Sequence, residues 1–395
     1  MFKNFYKIET SISNNDSALI RCLKSDVANE SLFKNWVAKE MNLSADDERV
    51  AQRVAFVLEQ KNKLNQIKDK TEKEQLLGYL ARLISAKFSG KKQSELAISL
   101  VLDKLIFSFL NKKPIIFVFG YGGYKNYNSP SFPEVDFSEL FHMKYMASYL
   151  WPIISTYKYG VEFEYESEEI SIQFNNVPQS TTDKYTVSFK KLLNYFSKKI
   201  FKQNVKYNVV FKSVIAREMY KPTDLYEKMS SYYDDMKKVL DEISAEEKEI
   251  WLKRAKTNFM VCGEKDYSKL SENELNKKIF EARINNECFL AADYDLRVDF
   301  WERPNAISLF GTWGKTPCAS PTDGGLHLKS TAASNTYFWI GTGVFKLDNN
   351  GNILQEQILS QKQYDELKDK LKTIKNPDGE LAKISKNFEQ IIYFN

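Results

Sequence analysis

Runs and alternations of apolar residues predict a βαβ unit near the middle of the chain. The apolar run at residues 115–119 is unbroken, which is typical of a strand that is buried on both faces. After a polar, glycine-containing loop, apolar residues recur at helical spacing, with Asp136 or Ser138 as the expected N-cap. Beyond Gly160, apolar and acidic residues alternate up to Glu166, as expected of a second strand. Strand, loop, helix and strand in this order predict a βαβ unit.

The same patterns predict further elements on both sides of this unit. Three helices are predicted before residue 110. After the unit, the predicted elements are a strand at 170–174, a helix from Asp183, a strand at 204–214, helices at 222–256 and 271–287, strands at 307–310 and 324–329, a strand with a glycine break at 336–345, a hairpin turn at 347–353 and a helix at 361–372.

This succession predicts an α/β fold: a Rossmann-like mixed sheet flanked by helices, with an N-terminal all-helical layer. We expect three regions, namely an N-terminal helical region at 1–110, an α/β core at 111–350 that carries the chemistry, and a C-terminal helix and tail at 351–395. Parallel strands of this kind place ligand-binding loops at their carboxyl ends. Functional residues are therefore sought first in the loop after residue 119.

Composition limits the classes of protein that this sequence can represent. The apolar content is 43% and the aromatic content 14%, as in globular proteins. The chain has 57 basic and 52 acidic residues, and this near balance argues against a dedicated nucleic-acid binder. The lysines at 190–191, 198–199 and 202 are interpreted as a solvated helix face, and nucleic-acid binding through them stays an alternative.

Cysteine and apolar patterns indicate the cellular setting. The four cysteines lie far apart and form no C-x-x-C pair, which favours a reducing cytoplasm. The first thirty residues hold no signal-peptide pattern, and no stretch approaches the length of a membrane span. We therefore expect a cytoplasmic protein without a membrane partner. The only histidines are His142 and His327, too few for most metal sites or Ser-His-Asp triads.

The loop GYGGYKNYN at 120–128 holds the first candidate residues. Lys125 can neutralise a phosphate or carboxylate, or react with a carbonyl, although a surface lysine would look the same. Tyr121, Tyr124 and Asn128 are candidates for substrate binding. The glycines match neither a Walker A loop nor a G-x-G-x-x-G motif, so nucleotide binding is not indicated.

Carboxylates supply the second set of candidates. Glu134, Asp136 and Glu139 stand close together before the predicted helix, where they can transfer protons or merely favour the helix N-terminus. Ser167 and Glu168 end the second predicted strand at the same expected edge. Arg303, or alternatively Arg297, is a candidate clamp for an anionic group.

These stretches together resemble the isocyanide (isonitrile) synthases and the yeast dityrosine-biosynthesis proteins. That family has a buried strand followed by F-P-x-K-S-P-N, P-D, Y-x-P-G-A, S-D-G, Y-x-x-x-L-x-x-L, L-S-I-H and T-P-W-H-G-V. The order is similar here over about residues 110–350, and the matching positions are Lys125, Asn128, Pro133, Ser167, Trp339 and Gly341. No motif is intact, since the family aspartates are replaced by Glu134 and Glu168 and its two histidines by Phe310 and Ile340.

The resemblance implies an enzyme that joins the α-amine of an amino acid to the ketone of ribulose 5-phosphate and fragments the adduct to an isonitrile. It implies neither a metal nor an organic cofactor. Lys125, Glu134 and Glu168 would be catalytic, and Trp339 would join Tyr121, Tyr124, Asn128, Asp136, Ser167 and Arg303 in binding substrate. Because both family histidines are replaced, another amine or sugar phosphate is an open possibility, as are a glycosyl or nucleotidyl transferase and a non-catalytic nucleic-acid-binding or protein-binding protein.

Overall fold

Five parallel strands form the central sheet of the computed structural model, which describes residues 17–25, 30–85, 88, 95–126, 128–167, 169–174, 176–201, 207–249, 252–253, 256, 266–311, 326–328 and 338–395. The strands are β1 (Ile115–Tyr121), β2 (Val161–Ser167), β3 (Val209–Ile215), β4 (Ala306–Gly311) and β5 (Leu326–Leu328). Their order across the sheet is β3-β2-β1-β4-β5, and each neighbouring pair is parallel.

The central strand β1 is buried on both faces, as its unbroken apolar sequence requires. In register across the sheet, Phe117 lies beside Phe163 and Phe163 beside Phe211. The ring centroids of Phe163 and Phe211 are 4.9 Å apart in a stacked arrangement. The strand order reverses direction between β1 and β4, and in α/β sheets ligands bind at the carboxyl ends beside such a reversal.

Helices cover the sheet, and the first five form the N-terminal layer. They are α1 (Ala18–Lys24), α2 (Glu30–Met41), α3 (Glu48–Leu64), α4 (Lys70–Leu83) and α5 (Glu95–Asn111). Their apolar side chains belong to the same continuous core as β1 and β2. Polar contacts add to this packing, since the Tyr79 hydroxyl lies 2.8 Å from Thr156 Oγ1 and the Arg82 Nε donates to the Tyr149 carbonyl at 2.7 Å.

The remaining helices follow the strands in chain order. They are α6 (Phe137–Tyr149), α7 (Trp151–Thr156), α8 (Glu169–Gln173), α9 (Gln179–Tyr195) with a π-helical turn at Phe196–Ile200, α10 (Pro222–Glu242), α11 (Glu272–Leu296) and α12 (Val298–Trp301). α10 and α11 pair as a hairpin with an apolar cluster of their own, in which Leu225 and Met229 face Ile284 and Phe289. Ile170 of α8 and Phe174, the residue after α8, pack against this cluster.

A second sheet stands against the start of α6. Its strands are β6 (Thr342–Leu347), β7 (Ile353–Leu359), β8 (Lys372–Lys375) and β9 (Gln390–Phe394), in the order β7-β6-β9-β8, with α13 (Gln361–Leu367) and α14 (Gly379–Ala382) between them. Phe345 of β6 packs edge-on against Phe137 and Phe141, with ring centroids 5.3 Å and 4.9 Å away. These aromatic contacts attach the second sheet to the α/β core.

The predicted Rossmann-like α/β fold with flanking helices is confirmed. The predicted hairpin after β6 is also confirmed, with Asp348 accepting hydrogen bonds from the backbone N–H groups of Asn350 and Asn352. The strands predicted at 204–214, 307–310 and 324–329 correspond to β3, β4 and β5 within the described residues. The mixed pairing lies in the second sheet, since the central one is parallel throughout.

One secondary-structure prediction was wrong, and two others were only partly right. The segment predicted as a strand at 170–174 is helical, because Ile170 and Phe174 stand four residues apart and pack on the same side against α11. The strand predicted at 336–345 is confirmed only from Thr342, where β6 begins, since residues 338–340 form a 3-10 turn that buries the neighbouring Phe338 and Trp339 together. The C-terminal region predicted as a helix and tail holds the predicted helix as α13, but it also contains β7, β8 and β9, whose pairing into one sheet with β6 depends on distant residues.

Within the described residues, no helix is both long enough and apolar enough to cross a membrane.

Replacing Gly343 by alanine should destabilise the junction between the two sheets. A Cβ atom at this position would lie 2.4 Å from the backbone N of Ser138 and 2.5 Å from the carbonyl carbon of Phe137. Because backbone atoms cannot move aside like a flexible side chain, we expect Gly343→Ala to lower the free energy of unfolding by about 3 kcal/mol in urea denaturation.

The matched control is Gly78→Ala in α4, where a Cβ atom would meet nothing within 4 Å. That change should raise the unfolding free energy by about 0.5 to 1 kcal/mol, because alanine is the better helix former. Equal stability of the two variants would contradict the close packing described at Gly343.

Candidate functional site

The loop after β1 passes through a narrow space at the carboxyl edge of the sheet. Gly123 has a φ of +66°, and a Cβ atom there would lie 2.3 Å from Ser167 Oγ. A Cβ atom on Gly122 would lie 2.8 Å from the indole Nε1 of Trp339. Glycine removes both steric conflicts and tolerates the positive φ. The loop therefore brings the end of β2 and the Trp339 segment close to the end of β1.

Lys125, which follows these glycines, is fully buried. Its Nζ lies 2.7 Å from Ser138 Oγ, 2.9 Å from Glu139 Oε1 and 3.1 Å from Asp136 Oδ1. The side chains of Lys125 and Glu139 have no exposed surface, and that of Asp136 is 4% exposed. A buried ammonium group is strongly unfavourable without such partners. These carboxylates are therefore a condition for the buried position of Lys125.

The start of α6 provides these acceptors because it is built as a capping box. Asp136 Oδ1 accepts from the Ser138 N–H at 2.7 Å, and Glu139 Oε2 accepts from the Asp136 N–H at 2.7 Å. The Tyr185 hydroxyl of α9 donates to Glu139 Oε1 at 3.0 Å. We call Lys125, Asp136, Ser138, Glu139 and Tyr185 the Lys125 cluster.

The two carboxyl groups of the Lys125 cluster differ in proton affinity. Burial raises the pKa of Glu139 to about 7, although the charge of Lys125 opposes this shift. Burial acts in the same direction on Asp136, but Lys125 and the hydroxyl groups of Ser131 and Ser138 outweigh it and lower the pKa of Asp136. Asp136 is thus the stable negative charge, while Glu139 can change its protonation near neutral pH.

A second polar cluster lies on the other side of Gly123. Ser167 Oγ donates to Glu169 Oε2 at 2.7 Å, and the Nε of Arg217 is 3.6 Å from Glu169 Oε1. Arg217 in turn forms a 2.6 Å ion pair with Asp183 at the start of α9. Burial raises the pKa of Glu169, while the bond from Ser167 and the charge of Arg217 act against the shift. We call Ser167, Glu169, Arg217 and Asp183 the Glu169 cluster.

Aromatic side chains fill the space between the two clusters. The Tyr121 ring stacks on Phe189 with centroids 4.7 Å apart and lies 5.8 Å from Phe338 and 6.2 Å from Trp339. His142 of α6 lies beneath them, with its ring 4.2 Å from that of Phe338. Burial, the largest cause, raises the pKa of the Tyr121 hydroxyl far above its usual range. Tyr121 is therefore a neutral hydroxyl at the wall of this region.

The structure brings together most of the residues that the sequence analysis selected. Lys125 and Asp136 share the first cluster, Ser167 belongs to the second, and Tyr121 and Trp339 lie in the aromatic wall. Tyr124 is half-buried, with its ring 2.7 Å from the place of a Cβ atom on Gly122.

Three other selected residues lie apart, and a fourth is outside the described residues. Arg303 precedes β4 at the amino end of the sheet, and its guanidinium pairs with Glu164 at 3.2 Å. Asn128 is exposed, and its N–H donates to Asn126 Oδ1 at 2.9 Å. Glu134 is half-buried beside a surface depression along α9. Glu168 falls outside the described residues.

Sequence reasoning missed several residues that complete the two clusters. Glu139 was interpreted only as one of three acids at a helix start, whereas it is the main partner of Lys125. Arg217 and Tyr185 were not selected, because periodicity does not show that the end of β3 lies beside the end of β2 or that the first half of α9 lies beside the start of α6. Tyr185 could have been selected, because it stands where the family helix Y-x-x-x-L-x-x-L has its tyrosine. Within the described residues, no three His, Cys, Asp or Glu side chains form a group that could hold a metal ion.

Comparison with known proteins supports the fold. No protein-family profile matches the sequence, and no curated protein is similar to it in sequence. Among solved structures, the crystal structure of the PvcA protein from Pseudomonas aeruginosa aligns with a TM-score of 0.55 at 11% sequence identity, covering 81% of this chain and 100% of that chain. At this identity the likeness shows a shared α/β fold.

Removing the charge of Lys125 should destabilise the fold more at high pH than at low pH. Lys125→Met leaves Asp136 and Glu139 buried without a cation, and we expect a loss of about 3 to 5 kcal/mol near pH 8. Without the lysine both folded-state pKa values lie above their unfolded-state values. The loss of unfolding free energy is therefore largest at pH values above the folded-state pKa values of the two carboxyl groups. It shrinks as the pH falls to values below about 4, where both carboxyl groups are protonated in the folded and the unfolded state. Urea denaturation at several pH values measures it.

Two further variants separate this effect from a general loss of packing. Lys125→Met with Glu139→Gln should recover part of the stability, because it removes one uncompensated charge. Lys158→Met breaks an exposed 3.0 Å pair with Glu72 and should change the stability little at any of these pH values. A pH-independent loss in Lys125→Met would contradict the electrostatic explanation.

Proposed function

We propose that this chain is a small-molecule biosynthetic enzyme resembling the isocyanide synthases, which condenses an amino-acid amine with the ketone of a sugar phosphate such as ribulose 5-phosphate. The observation that supports this best is the convergence of Gly122, Gly123, Ser167 and Trp339 at one edge of the sheet. Three of the sequence motifs on which the resemblance depends include or adjoin these residues. Their meeting in space is what a common substrate site requires.

The location of these residues also favours a ligand site. They lie at the carboxyl ends of β1 and β2, next to the point where the strand order reverses between β1 and β4. The fold shared with the PvcA protein supports the scaffold of this proposal and leaves the substrates as proposals. No metal or organic cofactor is needed for the reaction that we propose.

The proposed condensation needs groups that exchange protons. When an amine adds to a ketone, the nitrogen loses a proton and the carbonyl oxygen gains one, giving a carbinolamine. Glu169 suits this exchange, because its raised pKa brings its proton affinity closer to neutrality and Ser167 fixes its orientation. Glu134 and Glu168 stay proposed proton-transfer groups through the resemblance alone, because Glu134 lies apart from Glu169 and Glu168 falls outside the described residues.

Lys125 has a more indirect part in this proposal. Its Nζ is enclosed by Ser138, Glu139 and Asp136, so it holds the glycine loop against α6. Direct contact of Lys125 with a phosphate or carbonyl group, as the resemblance implies, would require the ammonium group to leave these partners. Its positive charge nevertheless raises the electrostatic potential at the neighbouring loop, because the region between them is buried and has a low dielectric constant.

The activity itself is tested by incubating the full chain with ribulose 5-phosphate and each of the twenty amino acids. Mass spectrometry should detect consumption of one amino acid and formation of an isonitrile or another adduct. Ser167→Ala should lower the rate by at least about tenfold, because it frees the Glu169 carboxyl group. No consumption of either component in any mixture would refute the proposed reaction.

Replacing Glu169 by glutamine tests the proton-transfer role. We expect kcat to fall by about 10²-fold or more with a much smaller change in KM, and the limb of the pH profile that reports this carboxyl group to disappear. Glu162→Gln is the matched control, since Glu162 lies on β2, the strand that precedes Glu169, but pairs with the half-exposed Lys212. Equal loss in both variants would indicate a structural effect on β2 rather than a chemical role of Glu169.

A further inference from the structure

An exposed stripe of lysines runs along α9, away from the Lys125 and Glu169 clusters. Lys184, Val187, Lys191, Asn194 and Lys198 are all exposed, at positions i, i+3, i+7, i+10 and i+14. Residues at these spacings share one side of a helix. With a rise of 1.5 Å per residue, the stripe extends over about 21 Å from Lys184 to Lys198.

The stripe forms one wall of a groove. Two depressions, of about 250 and 320 Å³, lie end to end beside it and share Lys191 and Ile384 in their linings. The other wall consists of Glu380, Lys383 and Ile384, in and just after α14. We call this feature the lysine groove. Its elongated outline fits a linear partner better than a compact small molecule.

The charge of the lysine groove is unbalanced. Three acidic residues line the lysine groove: Asp183 is paired with Arg217 at 2.6 Å, Glu380 with Lys199 at 3.0 Å, and Glu134, at one end, forms no ion pair with a residue that the structure describes. Lys184, Lys191, Lys198 and Lys383 form no ion pair with any residue that the structure describes. Four neighbouring ammonium groups produce a positive potential that an anionic partner would neutralise.

Apolar side chains in the two walls of the lysine groove indicate which kind of anion fits. Val187 is 53% exposed, and the half-buried Ile384 lies across from it. Tyr195, the one aromatic side chain in the lining, is 9% exposed, and its hydroxyl bonds to Asp378, so its ring offers no free face for a nucleobase. Apolar side chains between the lysines match a partner with both apolar and acidic side chains.

We propose that the lysine groove is a docking surface for an acidic amphipathic helix of a partner protein. Carboxylates at seven-residue intervals on such a helix face the lysines of α9, and leucine-type side chains between them cover Val187 and Ile384. Helix-in-groove recognition of this kind combines apolar anchors with a charged rim. This inference does not depend on the proposed enzymatic function.

Fluorescence anisotropy with the full chain and a labelled synthetic peptide tests this surface. The peptide has about 15 residues, with glutamates at seven-residue spacing around leucines. It should bind at low salt and weaken as the ionic strength rises. Lys191→Glu with Lys198→Glu should reduce the affinity at least about tenfold, because charge repulsion replaces attraction. Val187→Ser should weaken binding without changing the salt dependence.

The matched control is Lys237→Glu with Lys238→Glu on α10, which makes the same charge change at exposed positions elsewhere. Its affinity should stay within about twofold of the unmodified chain. Thermal melting checks that each variant is folded. Absence of peptide binding at low salt, or equal weakening by both lysine pairs, overturns the proposal. Tighter binding of a single-stranded oligonucleotide that is lost in the Lys191 and Lys198 variant overturns it in favour of a nucleic-acid partner.

Discussion

The ion cluster around Lys125 is the interaction on which the arrangement of this molecule most depends. It joins the loop after β1 to the first turn of α6, to Tyr185 of α9 and, through Ser138, to the carbonyl oxygen of Phe338 at 2.8 Å. A buried ammonium group has to keep all these partners, since losing one would leave an uncompensated charge in the core. The positions of two helices and of the segment before β6 are therefore coupled.

Close backbone approaches reinforce this coupling. Gly123 lets the loop lie against Ser167 and Glu169, and Gly343 lets β6 lie against the start of α6. Both contacts meet near the Lys125 cluster, so the second sheet and the end of β2 are held against the same turn. Such contacts position groups without using side-chain volume, which suits a region where chemistry depends on geometry.

The two carboxyl groups with raised pKa values have different environments and so suit different tasks. Glu139 is enclosed by Lys125, Tyr185 and the backbone of α6, and it serves mainly to hold them together. Glu169 has one hydroxyl partner and a half-exposed arginine, so it is less tightly constrained. This contrast is why the proposed proton-transfer role belongs to Glu169, while the lysine groove along α9 is a separate, solvent-facing feature.

Local patterns in the sequence were sufficient for the central elements. The unbroken apolar run of β1, the alternation in β2 and the cap at Asp136 identified the βαβ unit, because burial and capping impose periodic and terminal signals on nearby residues. They also pointed to Lys125, Asp136 and Ser167. Short segments without a unique period, such as 170–174 and the strands of the second sheet, depended on packing partners far away in the chain.

The sequence by itself determined the α/β class, the order of the main strands and helices, and the loop where polar residues concentrate. Only the tertiary structure decided that Lys125 is enclosed by Glu139 rather than exposed, that Arg217 and Asp183 meet Glu169, and that Arg303 lies at the amino end of the sheet with Glu164. The physical reason is that periodicity reports which side of an element is buried, whereas ion pairs and close backbone contacts depend on which elements meet.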